Sequence, residues 1–136
     1  MIIQTAKAIR QKFDSSSNLG SLLSGGLYFQ QAPQDVTSPW GVFMIIGVSD
    51  EEIMGSSADV NLREMDIQVS LFSEKPDGGE EIGLITELFT EAFDWTDLYV
   101  AEYSVYKVQR SLIGPITFID EIWQSNISYT IGMQKE

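Results

Sequence analysis

Leu27-Tyr28-Phe29-Gln30-Gln31-Ala32-Pro33 leads through a polar turn into Pro39-Trp40-Gly41-Val42-Phe43-Met44-Ile45-Ile46-Gly47-Val48, the most apolar segment of the chain. A short continuous apolar run of this length predicts a strand buried on both faces. That places Val42–Val48 at the centre of a sheet. Downstream, Ile67, Val69 and Leu71 alternate with Asp66, Gln68 and Ser70, the period-2 pattern of a strand with one covered face. No catalytic motif lies in or near this stretch, so function has to be read from architecture.

The flanking segments read as connections. Pro33 and Pro39 bracket the link between the first two strands, since proline supplies no ladder donor. Ser49 to Ala58 joins the second strand to the third with about ten residues, more than a tight hairpin needs. On this polar loop, Ile53 and Met54 follow Asp50-Glu51-Glu52. Large apolar residues there either fold back on the sheet or await a partner. We expect Asp50, Glu51, Glu52, Ile53 and Met54 to contact a neighbouring subunit or another assembly component.

Two helices complete the pattern. Ile2, Ala6, Ile9 and Phe13 recur at helical spacing, with Lys7, Arg10 and Lys12 on the remaining surface. Leu19, Leu22 and Leu23 form a short patch that fits one or two helical turns, closed by Gly25-Gly26, glycines that permit the reversal into the first strand. The third strand, about Val60 to Ser73, runs into Pro76-Asp77-Gly78-Gly79-Glu80, where Asp77 and Glu80 have capping-box spacing. The helix that follows carries Ile82, Ile85, Phe89, Ala92 and Phe93 on one stripe. A mixed-face strand spans Tyr103–Arg110, Gly114-Pro115 breaks the chain, and Trp123 to Met133 alternates cleanly. The reading is one α+β domain over residues 1–136. It has a mainly antiparallel sheet of four to five strands and two principal helices, in the order α-β-β-β-α-β-β.

Composition narrows the function classes. The 136 residues contain neither cysteine nor histidine. That removes disulfides, thiolate metal sites, the commonest general base and the commonest transition-metal ligand. Twenty acids against eight bases give a formal net charge of −12, which repels a phosphate backbone rather than binding it. The acidic clusters Asp50-Glu51-Glu52, Glu80-Glu81, Asp94 with Asp97, and Asp120-Glu121 lack calcium-loop spacing and read as solvated surface acids. The serines of Ser15-Ser16-Ser17 and Ser56-Ser57 have no histidine partner and no nucleophile elbow. No enzyme, metal or cofactor is expected. The first residues lack the apolar region of a secretory signal, and Val42–Val48 is too short to span a bilayer. We therefore expect a soluble protein of a cytoplasm.

Several short signatures in a fixed order carry a resemblance. They are Gly26-Leu27-Tyr28-Phe29-Gln30-Gln31-Ala32-Pro33, then Ser38-Pro39-Trp40-Gly41-Val42-Phe43, and Asp66-Ile67-Gln68-Val69-Ser70-Leu71-Phe72-Ser73 before an acidic-capped helix. The closing strand is Asp120-Glu121-Ile122-Trp123-Gln124-Ser125-Asn126-Ile127-Ser128-Tyr129. With a helix at the first residues, this order resembles the tail-terminator (tail-completion, head–tail joining) proteins of long-tailed bacteriophages over nearly the whole chain. Trp40-Gly41, where the family often has an aromatic then an aliphatic residue, and the high acidity depart from its pattern.

The resemblance implies a ring, commonly a hexamer, on the head-proximal end of the tail tube. Such a ring stops tube growth and offers the head-joining surface. The implied partners are further copies of the chain, the tail tube protein and connector or neck proteins, with DNA passing through unbound. The implied location is the virion, after assembly in the host cytoplasm. The runner-up readings are a head-closure or neck protein, the tube subunit itself, and an acidic adaptor for a basic protein. Val42–Val48 and Tyr103–Arg110 are the strands expected near subunit boundaries.

Overall fold

The structure, a computed structural model, describes residues 1–51, 62–94 and 98–135. In chain order it contains α1 (Ile2–Ser15), α2 (Ser17–Leu22), β1 (Leu27–Phe29), β2 (Trp40–Glu51), β3 (Leu62–Ser73), α3 (Gly78–Phe93), β4 (Tyr103–Ile113), β5 (Thr117–Ile119) and β6 (Ile122–Lys135). The strands form one sheet in the order β1-β2-β3-β6-β4, with β5 also paired to β6. All pairs are antiparallel except β1 with β2. This is the α+β class read from the sequence, with α2 and the three-residue strand β5 added to the expected order.

Alternation along β3 and β6 sorts the sheet into two faces. Met65, Ile67, Val69 and Leu71 on β3, with Ile127, Tyr129, Ile131 and Met133 on β6, are buried in a single core cluster. Ile82, Ile85, Phe89 and Phe93 from α3 and Ala8, Ile9 and Phe13 from α1 join that cluster. Phe89 stacks on Phe93 at 4.4 Å between centroids and tilts against Tyr129 at 6.2 Å. The buried stripe of α3 also includes Thr86 and Thr90. Their hydroxyls are satisfied by the carbonyls of Ile82 and Glu87, at 2.7 and 2.8 Å. Burial without an unpaired polar group therefore costs little.

The structure corrects or refines the sequence reading at four points. First, β3 rather than Val42–Val48 is the centre of the sheet. Gly41, Val42 and Phe43 are buried, but Ile46 is 58% exposed and Val48 is exposed too. The reason is length, because β1 pairs with β2 only at Gly41, Val42 and Phe43. Beyond that point β2 is an edge, and a bulge between Ile45 and Gly47 leaves Ile46 unpaired.

Second, β1 and β2 are parallel because the chain loops back to the start of β1 after Gln30, whose φ of 67° ends the strand. Gly25 N–H then meets the Pro39 carbonyl at 2.7 Å, and Gly41 N–H meets that of Gly26 at 2.9 Å. Third, Asp77 makes no side-chain capping bond to α3. Glu81 instead accepts from Ser73 Oγ (3.0 Å) and Lys75 Nζ (2.7 Å), tying the first turn to the end of β3. Fourth, the inward stripe of α1 is Thr5, Ala8, Ile9 and Phe13, so Ile2 and Ile3 face outward. Thr5 can be buried because its hydroxyl donates to the Met1 carbonyl at 2.8 Å.

Candidate interaction surfaces

The face of the sheet opposite the helices is carpeted with polar groups. Ser70 Oγ donates to Asn126 Oδ1 at 2.7 Å, Gln124 Nε2 to the same oxygen at 3.1 Å, and Thr130 Oγ1 to Asp66 at 3.0 Å. Lys107 reaches Glu64 at 2.7 Å across Gly132, the residue paired with both. A side chain at Gly132 would collide with Tyr106, whose ring lies 2.5 Å from where its Cβ would sit. At one border of this face Trp40 stacks on Phe72, 5.2 Å between centroids. Lys107 is thus held by a carboxylate, so among the described residues this face offers phosphates no cationic track.

The two edges of the sheet are different. Beside β1, the outward side of α1 and the end of the sheet enclose a groove of about 270 Å³ lined by Ile3, Ala6, Phe29 and Phe43, with Lys7 and Arg10 at its rim. Arg10 is already engaged: it donates to the Leu27 carbonyl, pairs with Asp14 at 3.5 Å and lies over the Tyr28 ring. At the far edge, β4 ends with Leu112 and Ile113, and β5 follows after Gly114-Pro115-Ile116. Leu112, Ile113, Ile116, Phe118 and Ile119 are all exposed, Phe118 by 53% and Ile119 by 63%. Phe118 rests against Trp123 at 4.7 Å, and Gly78 and Gly79 of α3 press on the same indole ring. Asp120 and Glu121, with φ of 53° and 64°, form the tight turn from β5 to β6.

The structure places the expected contact residues as follows. Asp50 and Glu51 end β2, their backbones opposite Arg63 and Leu62. Their side chains, and all of Glu52, Ile53 and Met54, lie outside the described residues, as do Ser56, Ser57 and Asp97. Asp94 is not a solvated acid. It accepts from Tyr129 Oη at 2.9 Å and pairs with Arg110 at 3.2 Å. Burial, and then this hydrogen bond, push the Tyr129 phenol well above the ordinary tyrosine range.

The Ser15 and Ser16 hydroxyls donate to the Lys12 carbonyl at 2.8 and 2.9 Å, a helix-end role. Among the described residues no group of three or more acids is arranged to hold a metal ion, and no helix is long and apolar enough to cross a membrane. The sequence reading missed the β4–β5 edge. Its signal was five large apolar residues in eight positions, interrupted by a glycine-proline break.

The fold has known counterparts. Over 96% of this chain and 97% of the other, it superposes on a chain from the virion of a native gene transfer agent particle, with a TM-score of 0.73 and 10% sequence identity. The likeness is one of fold. A second solved structure matches with a TM-score of 0.65 and 13% identity, covering 96% of each chain. No family model and no curated protein sequence matches the chain.

Proposed function

We propose that this chain is a non-enzymatic structural protein of a phage-like virion. In this reading it forms a ring on the head-proximal end of the tail tube, ends tube growth and presents the surface to which the head is joined. The observation that carries the reading is the end-to-end fold likeness to a chain from a virion particle. It agrees in kind with the order of short signatures from Gly26 to Tyr129. The partners are further copies of the chain, with six the number the family resemblance implies, the tail tube protein, and the connector or neck proteins.

Three features support an assembly role. The sheet has an apolar edge at each side, both left open in the single chain. Identical heterologous contacts close into a ring when the rotation per subunit divides a full turn. The net charge of −12 and a helix-free sheet face whose lysine is paired also suit a wall along which DNA slides without sticking.

The test is a growth assay in which the tail tube protein polymerises with graded amounts of this chain. Tube length should fall as the chain is added, with the chain found at one tube end only. Incorporation along the whole tube would make it a tube subunit. Binding to closed heads but not to tubes would make it a head-closure piece.

A further inference from the structure

The strand pairing is regular in the middle of the sheet and interrupted towards both borders. β3 and β6 pair in unbroken register, from Leu62 with Gln134 to Ser73 with Trp123. β2 carries one extra residue, Ile46, between the pairs Ile45 with Ile67 and Gly47 with Asp66. β4 carries two, Tyr106 and Ser111, the first between Val105 and Lys107 and the second between Arg110 and Leu112. Each extra residue belongs to the outer strand of its pair, and each is exposed. Ile46 lies past the end of β1, where β2 is itself the border. Tyr106 also lays its ring over Gly132, which gives that bulge a packing role.

The other two bulges stand where a regular border would be most hazardous. A border strand offers unpaired backbone N–H and C=O groups to any second chain. Apolar segments of high strand propensity, without charge or proline, take up that offer most readily. Val42–Val48 is such a segment. β1 covers it only as far as Phe43, and Ile46 interrupts the remainder. On β4, Ser111 comes immediately before Leu112 and Ile113, which are 62% and 43% exposed. An extra residue bends and twists its strand and breaks the even spacing of backbone groups that a further ladder needs. We propose that the bulges at Ile46 and Ser111 are edge guards, which hold separate copies of this chain back from pairing strand to strand. β1 acts in the same sense over the rest of the β2 border, because a strand of three residues gives a second chain little to pair with. The guards belong to the isolated chain and are independent of the ring reading.

Deleting the extra residue removes a guard and leaves the neighbouring pairs with their partners. Ile45 with Ile67 is then followed at once by Gly47 with Asp66, and Arg110 with Tyr129 by Leu112 with Ser128. Full chains lacking Ile46 or lacking Ser111 are compared with the parent and with Ile46→Ser, which keeps the bulge and loses its apolar side chain. Self-association is followed by sedimentation and thioflavin T fluorescence over a concentration series, and the fold by thermal melts. Each deletion should keep a cooperative melt and form dye-binding filaments at about 10-fold lower concentration than the parent, the effect of roughly one regained ladder bond per contact. Ile46→Ser should stay as dispersed as the parent. Each bulge is judged by its own deletion. A deletion no more prone to filaments than the parent would overturn the guard at that position. Loss of the cooperative melt would overturn it too, by showing that the extra residue sets the register of the folded sheet. Filaments formed by Ile46→Ser as readily as by the Ile46 deletion would assign the effect to the side chain and overturn the guard at Ile46.

Discussion

At Gly25 an added methyl group would lie 1.9 Å from the Thr37 carbonyl oxygen and 2.6 Å from that of Pro39. Both are backbone atoms, and the second is the acceptor for Gly25's own N–H. Gly25→Ala should therefore destabilise the chain by roughly 3 kcal/mol or more. Gly20→Ala, inside α2 with open space at the same position, should instead stabilise it by about 0.5–1 kcal/mol. Urea titration of the two variants checks both signs. Tyr129 supplies a second residue-scale prediction. Its folded-state pKa is raised by burial and by Asp94, so the neutral form is favoured in the fold. Its contribution is complete below the ordinary tyrosine pKa of about 10 and is lost as pH rises beyond it. Thermal melts across the alkaline range should show the parent chain losing stability above about pH 10, and Tyr129→Phe losing less.

For single elements, burial on α3 and on β2 predicts opposite outcomes for apolar substitutions. Phe89 is fully buried against Phe93 and Tyr129, so Phe89→Ala should cost about 3–5 kcal/mol. Ile46 projects from an edge bulge, and Ile46→Ser should change chain stability by no more than about 0.5 kcal/mol. Denaturant midpoints separate the two. The contrast also shows what the sequence could disclose. β3, β6 and α3 were legible because each buries one face only, which writes its period into the residues. The placement of β2 was not, since an apolar run looks the same whether a sheet flanks it or only the three residues of β1 do. The β4–β5 edge escaped because its apolar residues obey no helix or strand period, and what marks them is exposure in the fold. Arg110 and Asp94 became legible as a pair only once β4 was laid beside β6. The proposed role of the segment after β2 stays at the level of its sequence: Ile53→Ser with Met54→Ser should weaken assembly and leave the monomer's melt nearly unchanged. A large fall in that melt would put both residues in the core.

In the whole molecule, helices fill one side of the sheet, hydrogen-bonded polar groups cover the other, and apolar surface gathers at the two edges. In the proposed ring, that distribution would suit contacts made sideways, from copy to copy. Two hollows among the described residues are an open groove lined mainly by polar residues at the α1–α2 junction and the apolar groove beside β1. Neither gathers the convergent polar groups of a small-molecule site. The acidic excess of the chain makes separate copies repel one another through their net charge. The most direct measurement is negative-stain imaging of the purified chain, alone and mixed with tail tubes. The account predicts discrete closed rings, with tubes capped at one end only. Open-ended filaments formed by the chain alone would contradict it.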